Sequence, residues 1–231
     1  MPKSKRSAGK SLPGCDTEKD LWKIILYVMY YFYVKWDEFE QLFYMTHIDN
    51  IESIIARGIL SHSAAQKMPH KRIDMLQVQE RRATKRVPGG RMLHEYANLY
   101  FSARNPMLFK RKDEHKDICV LRIKKEVLDI PEVMVATGNA ASDYSSFHFP
   151  KKGIEMLDRS MVFAKKWTDE DNVIAAKKRT AKCAEVLVPH CVPPSLIIGI
   201  YVSCQETREK LTLLFPSLQV EEKPILFFKN D

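Results

Sequence analysis

One short apolar segment of the chain contains an acidic residue, and this residue limits how the chain can fold. The segment is Ala184-Glu185-Val186-Leu187-Val188, in which the two valines alternate with Glu185 and Leu187 as in a β-strand. The residues just before it are strongly basic: Lys177, Lys178, Arg179 and Lys182. Burial of a carboxylate costs several kcal/mol unless the group is paired or hydrogen-bonded. A strand of this kind therefore rarely contains a glutamate without a structural or chemical reason.

The size and charge of the chain are compatible with one folded core and a polyanionic partner. The chain has 231 residues and a formal net charge of +8, which favours nucleic acid as a partner. A merely basic surface explains the charge equally well. The five cysteines form no CxxC pair, which argues against a disulfide framework and a zinc site. We therefore expect a protein of the reducing cytoplasm.

Composition divides the chain into three parts. Residues 1–20 are predicted to be a basic, disordered tail, residues 21–40 an apolar and aromatic segment, and residues 41–231 a single domain. The apolar run from Ile24 to Val34 is shorter than the roughly 20 residues of a membrane-spanning helix. We expect it to dock on the core, with a membrane-surface or partner contact as the alternative. No integral membrane association is predicted.

A histidine lies between the first predicted strand, residues 42–46, and the helix that follows. Asp49 has the position of an N-cap, with Glu52 at the spacing of a capping box, and Gly58 ends the helix. Backbone N–H groups at such a junction can receive phosphate. A lone His47 there is more often structural than functional.

Residues 61–95 are polar and basic, with a helix predicted over residues 75–84. Arg81 and Arg82 point about 100° apart on that helix, so one of them can face inward while the other stays in water. The planar guanidinium group suits diphosphates, although a charge run is usually a solvated face. Strands are predicted at residues 96–102, 117–123, 132–136, 196–203 and 225–228, and a helix at 205–215.

The motifs of several common active sites are missing from the sequence. It contains no GxGxxG after a strand, no Walker loop, no HExxH and no GxSxG. There remain a histidine after the first strand, basic residues, a strand with tyrosines and the late glutamate. These groups suit cleavage of a glycosidic bond, because a carboxylate stabilises an oxocarbenium-like transition state.

Five motifs in one order resemble the DarT toxins, NAD-dependent ADP-ribosyltransferases that modify bases in single-stranded DNA. The motifs cover residues 44–61, 78–82, 100–107, 138–140 and 184–188, with the sequences YMTHIDNI and RGILS, VQERR, YFSARNPM, GNA and AEVLV. The match over residues 61–95 is patchy, and the segment 21–36 has no recognised counterpart. The resemblance implies an α+β fold, a split and mainly antiparallel β-sandwich with surrounding helices around an NAD+ cleft.

The resemblance also implies roles for single residues. Glu185 is expected to hold the nicotinamide ribose and to be catalytic together with Arg81, which we prefer over Arg82. The residues expected to bind NAD+ are Thr46, His47, Asn50, Arg82 and Tyr100. The residues expected to bind nucleic acid are Arg104, Met107, Tyr144, Phe147, His148, Arg179 and Lys182, with Arg179 and Lys182 in a loop before the glutamate. No metal is expected.

The function that the resemblance implies is transfer of ADP-ribose from NAD+ to thymine or guanine in single-stranded DNA. The expected partner is a macrodomain antitoxin that removes the ADP-ribose. The alternatives are an enzyme that modifies RNA or protein, and a catalytically silent nucleic-acid-binding module that uses the basic loops and aromatic residues.

Overall fold

The fold is described from a computed structural model for residues 39–229. These residues belong to the larger of two compact units, Phe39–Asp231. The predicted tail, residues 1–20, and nearly all of the apolar segment, residues 21–40, lie outside the described residues. The division of the chain into three parts therefore stays a prediction.

The described residues form a large sheet and a small one, with strands numbered in chain order. The strands are β1 (Gln41–His47), β2 (Ile59–Leu60), β3 (Tyr96–Tyr100), β4 (Ile118–Lys124), β5 (Met134–Ala136), β6 (Phe147–His148), β7 (Glu185–Pro189), β8 (Cys191–Val192), β9 (Ile197–Val202) and β10 (Val220–Glu222). The large sheet has eight strands in the order β10-β9-β4-β1-β3-β7-β5-β6, and β2 pairs with β8. Only β9 and β10, among these described strands, pair in parallel.

Short helices connect the strands. They are α1 (Ile51–Arg57), α2 (His62–Ala65), α3 (Leu76–Ala83), α4 (Pro106–Lys110), α5 (Pro150–Met156), α6 (Arg159–Val162), α7 (Asn172–Lys182) and α8 (Gln205–Leu214). Gly58 ends α1 with φ +86°, where a Cβ atom would lie 2.3 Å from the carbonyl oxygen of Val192. Glycine is required there because both the conformation and the space exclude a side chain.

The large sheet is nearly split in the middle. β1 pairs with β4 along its whole length, from Gln41–Lys124 to His47–Ile118, but it pairs with β3 only through Phe43 and Tyr100. Beyond this pair the two strands diverge, and a cleft opens between them. The structure confirms the expected α+β fold with a split, mainly antiparallel arrangement.

The central strands supply the core on both sides of this split. Leu42, Leu99, Val120 and Val186 are fully buried, as expected for β-branched and aliphatic residues on strands that are covered on both faces. Within the described residues, the helices are too short or too polar for any of them to cross a membrane.

Three sequence-based expectations of local structure were wrong. Asp49 does not cap a helix, because a 3₁₀ turn, Ile48–Asn50, precedes α1. The predicted final strand is a 3₁₀ helix, Pro224–Phe227, since Pro224 has no N–H group for a strand ladder. The predicted loop before Glu185 is helix α7, which Asp171 caps by accepting bonds from the amides of Val173 and Ile174.

Candidate active site

A cavity of about 290 Å³ occupies the cleft at the split of the sheet. Strand β1 contributes Tyr44 and Thr46, strand β3 contributes Tyr96, Asn98 and Tyr100, and helix α3 contributes Val78, Gln79 and Arg82. Glu185 lies at the start of β7 and lines the same cavity. Strands β1 on one side and β3 and β7 on the other thus enclose the cavity, and helix α3 and residues 70–75 before it form its third side.

Glu185 is fully paired inside the protein. It is 1% exposed, and its two carboxylate oxygens accept bonds from Nη1 of Arg82 at 2.9 and 3.2 Å. Its Oε1 also accepts a bond from the backbone amide of Ala140 at 3.0 Å. These bonds provide the partners that a buried carboxylate requires.

The two neighbouring arginines of α3 have opposite environments. Arg82 is 5% exposed and forms the ion pair with Glu185, whereas the side chain of Arg81 is exposed. Val78 and Arg82 are four residues apart and therefore lie on the same helix face, which lines the cavity. The structure thus places Arg82, and not the preferred Arg81, beside the carboxylate, because the helix turns Arg81 away from it.

The backbone amide of Ala140 was not predicted to belong to the site. It is positioned by the turn that begins at Gly138, where a Cβ atom would lie 2.8 Å from the Cγ2 atom of Thr180 on α7. Asn139 donates its backbone N–H to the carbonyl of Thr180 at 3.0 Å. The turn continues as bends and turns to Tyr144 and contains no helix. Its close packing against α7 directs the next amide to Glu185.

Tyr100 lies directly opposite Glu185 in the β3–β7 ladder. Burial, together with the nearby carboxylate, raises the pKa of Tyr100 well above its ordinary value. The hydroxyl group of Tyr100 therefore stays protonated to a higher pH than that of an ordinary tyrosine.

The β1 side of the cavity is held by Asn50. Its amide nitrogen donates to Oγ1 of Thr46 at 3.0 Å and to the carbonyl of Lys71 at 2.8 Å, and its oxygen accepts from the amide of Lys71 at 2.8 Å. His47 accepts a bond from the amide of Asp49 through Nδ1 at 3.1 Å. Thr46 and Asn50 line the cavity, while the described lining does not include His47.

The candidate DNA-binding residues fall into buried and exposed groups. Lys182 is 3% exposed and donates to Oγ of Ser102 and to the carbonyl of Val162, each at 3.0 Å. Burial and the positive charge of Arg104 lower the pKa of Lys182 to about 8. The structure thus gives Lys182 partners inside the protein, which favours a structural role over the expected contact with nucleic acid.

The other candidate DNA-binding residues differ in how accessible they are. Arg104 lies over the ring of Phe228 at 4.2 Å, and Met107 packs in the hydrophobic core beside the cavity. Arg179 is exposed on α7 rather than in a loop. Tyr144 is 95% exposed, and it lies close in sequence to Phe147 and His148 on β6.

Two histidines near Arg82 were not predicted. The rings of His62 and His94 stack with centroids 4.1 Å apart, and His62 lines the cavity. Burial and the neighbouring His94 lower the pKa of His62 to about 4, and burial followed by the charge of Arg82 lowers the pKa of His94. Both rings are therefore neutral near pH 7. No local sequence signal marks this contact, because the two residues are 32 positions apart in the chain.

The site provides a fixed carboxylate, a guanidinium and a neutral phenol in one cleft. Among residues 39–229, no cluster of three or more potential metal ligands occurs. A carboxylate in such a place can stabilise positive charge that develops on a bound sugar, and the surrounding donors keep it in position.

Comparison with known proteins identifies similar sequences and folds. The family model described as "ssDNA thymidine ADP-ribosyltransferase, DarT" matches residues 43–230. A DNA ADP-ribosyl transferase–DNA ADP-ribosyl glycohydrolase fusion protein of Thermosipho africanus is 34% identical over 180 residues, which are 75% of this chain and 45% of the relative. The chain thus spans about half the length of that fusion protein.

Two solved structures resemble the described fold. DarTG of Thermosipho africanus in complex with ADP-ribose is 30% identical, with a TM-score of 0.72 over 83% of this chain and 52% of that chain. DarT of Thermus sp. 2.9 in complex with ADP-ribosylated single-stranded DNA is 26% identical, with a TM-score of 0.70 over 81% of this chain and 95% of that chain. Because the family model matches well over half of the sequence, the chain belongs to the DarT family.

Proposed function

We propose that the protein transfers ADP-ribose from NAD+ to a base of single-stranded DNA and releases nicotinamide. The observation that supports this most strongly is the buried Arg82–Glu185 pair at the floor of the cleft. The family model is described by the same activity, and the relatives in complex with ADP-ribose and with ADP-ribosylated DNA belong to the same fold.

In this proposal NAD+ is the co-substrate and Glu185 is the catalytic carboxylate. The bond from C1″ of the nicotinamide ribose to nicotinamide breaks, and nicotinamide leaves with the bonding electron pair. A nitrogen of the base forms the new bond to C1″ and loses a proton. Glu185 orients the ribose and stabilises its developing positive charge, and Arg82 and the amide of Ala140 hold Glu185 in place.

The remaining residues of the cleft bind the co-substrate and the acceptor. Thr46, Asn50 and Tyr100 line the cavity and are proposed to contact NAD+. His47 follows Thr46 at the end of β1 and is proposed to contact NAD+ as well. Tyr144, Phe147, His148 and Arg179 are proposed to contact the DNA. Tyr144 and Arg179 are exposed, and Phe147 and His148 are partly exposed, and accessible aromatic rings stack on bases while accessible cations bind phosphates. Thymine is the expected base, in line with the description of the family.

The biological role proposed is that of a toxin whose effect an antitoxin reverses. The Thermosipho relative joins a transferase to a DNA ADP-ribosyl glycohydrolase in one chain, and a separate macrodomain protein with that activity is the partner expected here. We place the reaction in the cytoplasm, where NAD+ and DNA occur together. Free thiols suit this compartment, and the cysteines of the described region are free.

Transfer to synthetic oligonucleotides tests the proposal. The protein is incubated with labelled NAD+ and single-stranded DNA, single-stranded RNA or a protein mixture, and the products are analysed by mass spectrometry. We expect an added ADP-ribose on thymidine in DNA. Label only on RNA or only on protein would overturn the proposed acceptor, and guanosine as the modified nucleoside would overturn the proposed base.

The Glu185→Gln variant tests the role of the carboxylate. Glutamine retains an acceptor for the amide of Ala140 but has no negative charge, so we expect transfer to fall by about a hundredfold to a thousandfold. Glu206→Gln is the matched control, because Glu206 pairs with Lys116 at the surface. Equal activity of Glu185→Gln and the native protein, with equal melting temperatures, would exclude Glu185 as the catalytic group.

A further inference from the structure

A second and larger cavity lies beside the candidate active site. This groove has a volume of about 950 Å³. Its lining includes three basic side chains and three aromatic ones: Arg86, Arg91, Lys152, Tyr96, Phe147 and Phe149. Apart from Phe147, none of these residues has a role in the proposed reaction. We name this cavity the lateral groove.

The lateral groove opens on the same face of the sheet as Glu185. Met134, Phe147 and Tyr96 line it and pack in one apolar cluster with Leu187. Leu187 and Glu185 are two residues apart on β7, so their side chains point to the same face. A molecule bound at Glu185 and a molecule bound in the groove therefore lie on one surface.

The strand register gives the distance between the two sites. Ala136 on β5 pairs with Glu185 on one side and with Phe147 on the other. Two strand spacings of roughly 4.8 Å thus separate Glu185 from Phe147, which is about 10 Å. Tyr96 lines both cavities, so the groove is a direct lateral extension of the cleft.

The chemistry of the groove suits a chain of nucleotides. Phe149 is 70% exposed at the start of α5, which leaves its ring available to stack on a base. Arg86 is exposed and donates to the backbone carbonyl of Gly90, and Lys152 is exposed with Glu155 3.9 Å away.

The acidic residues of the groove are already engaged. Glu132 pairs with Arg91 at 2.6 Å, and Glu95 accepts a bond from the amide of Met92 at 2.9 Å. Both carboxylates thus already have partners within the protein. Arg86 donates only to an uncharged carbonyl among its described bonds, and Lys152 is loosely paired with Glu155 at 3.9 Å. Both side chains therefore still favour an anionic occupant of the groove.

We propose that the lateral groove binds the nucleotides that flank the modified base on one side. Phe149 stacks on a flanking base, while Arg86 and Lys152 bind the phosphates on either side of it. This inference rests on the proposed function, since the occupant is the same single strand whose target base lies at Glu185. It adds a site that determines how tightly the DNA is held.

Direct binding measurements test the groove separately from catalysis. Binding of a fluorescent single-stranded oligonucleotide is followed by anisotropy without NAD+, for the native protein and for Phe149→Ala. Loss of one base–aromatic stack weakens binding by roughly fivefold to a hundredfold. Leu213→Ala is the control, because Leu213 is an exposed apolar residue on α8, next to β9 and β10 at the opposite edge of the sheet.

The salt dependence tests the phosphate contacts. For single strands, each lost contact lowers the slope of log K against log salt by about 0.7. We therefore expect the double variant Arg86→Ala, Lys152→Ala to lower the slope by about 1.4, and Lys210→Ala on α8 to leave it unchanged. Two series of oligonucleotides, shortened on the 5′ side or on the 3′ side of the target base, locate the groove on the strand. Once the nucleotides that occupy the groove are removed, Phe149→Ala should no longer weaken binding, and this is expected in one of the two series.

The outcomes separate this inference from the proposed function. Unchanged binding and salt slope in the groove variants would overturn the groove, even with a native protein that modifies DNA. A higher KM for NAD+ with unchanged DNA binding would assign the groove to the co-substrate and also overturn it. Absence of transfer to any DNA would refute the proposed function alone, because anisotropy would still report whether the groove variants lose DNA binding.

Discussion

The two walls of the cleft are built in different ways. The strand wall consists of β3 and β7 with the Arg82–Glu185 pair, and its backbone is fixed by a continuous ladder from Tyr96–Pro189 to Tyr100–Glu185. The loop wall consists of residues 66–75, which follow α2 and have no ladder partner. Side chains hold it instead: Asn50 bonds to the backbone of Lys71, and Arg111 donates to the carbonyls of Ile73 and Asp74.

The difference separates chemistry from binding. A carboxylate that must meet a developing charge needs a fixed position, and a buried ladder supplies it. A wall held by a few exposed hydrogen bonds opens at a lower free energy than a buried strand, which suits the entry of a large co-substrate. We therefore expect changes in the strand wall to affect the rate and the fold, and changes in the loop wall to affect substrate binding.

The largest effect is expected where the strand wall loses its ion pair. Arg82→Ala leaves Glu185 buried and unpaired, which should lower the free energy of unfolding by about 3–5 kcal/mol and abolish transfer. Urea unfolding and the transfer assay measure the two effects. Arg82→Lys keeps a charge but not the fork geometry, and it provides a folded variant for kinetics if Arg82→Ala does not fold.

The neighbouring arginine is the matched control. Arg81 is exposed, so Arg81→Ala should change the free energy of unfolding by less than about 0.5 kcal/mol. If Arg81→Ala reduced transfer as much as Arg82→Lys, the assignment of the two arginines in the cleft would have to be reversed.

A smaller effect is expected in the loop wall. Asn50→Ala removes the bonds to Thr46 and to the backbone of Lys71, each worth about 0.5–1.5 kcal/mol. We expect KM for NAD+ to rise about tenfold with a smaller change in kcat. Asp49→Ala, at the exposed position just before it, should leave KM unchanged. A drop in kcat alone would place Asn50 with the strand wall.

The stacked histidines His62 and His94 make the stability of the folded protein depend on pH. The pKa of His62 is about 4 in the folded protein and about 6.5 when unfolded. Between these pH values the unfolded chain therefore binds more protons than the folded one. The contribution of His62 to stability is thus fully present above about pH 6.5 and is lost as the pH falls toward 4. Urea unfolding at pH 7.0 and 5.0 should show a smaller loss in the His62→Gln, His94→Gln variant than in the native protein.

The smallest effect distinguishes Arg179 from Lys182, two of the four basic residues of α7. Arg179→Ala should lower the salt slope of single-strand binding by about 0.7, because the side chain is exposed. Lys182→Met should leave the slope unchanged, since its Nζ atom is bonded to Ser102 and Val162 inside the protein. A reduced slope in Lys182→Met at an unchanged melting temperature would restore Lys182 as a DNA contact.

Local patterns predicted much of the cleft. A carboxylate in an apolar strand requires a partner wherever the strand is buried, and the structure provides Arg82 and the amide of Ala140. Most strands were also predicted, because side-chain alternation depends only on neighbouring residues. The 3₁₀ helix at Pro224–Phe227 was missed, because the apolar run from Ile225 to Phe228 has no period that separates a strand from a buried turn.

The sequence by itself indicated that Glu185 is buried and needs a partner, and that one arginine of α3 can face inward. Only the tertiary structure decided which arginine does so, because the rotation of α3 about its axis is set by its packing against the sheet. It also decided that Lys182 is buried while Arg179 is exposed. Their spacing on α7 places them on one side of the helix, but the Lys182 side chain reaches the carbonyl of Val162 at the end of α6, while Arg179 stays exposed. Burial is a property of what covers a residue, and the covering segments come from distant parts of the chain.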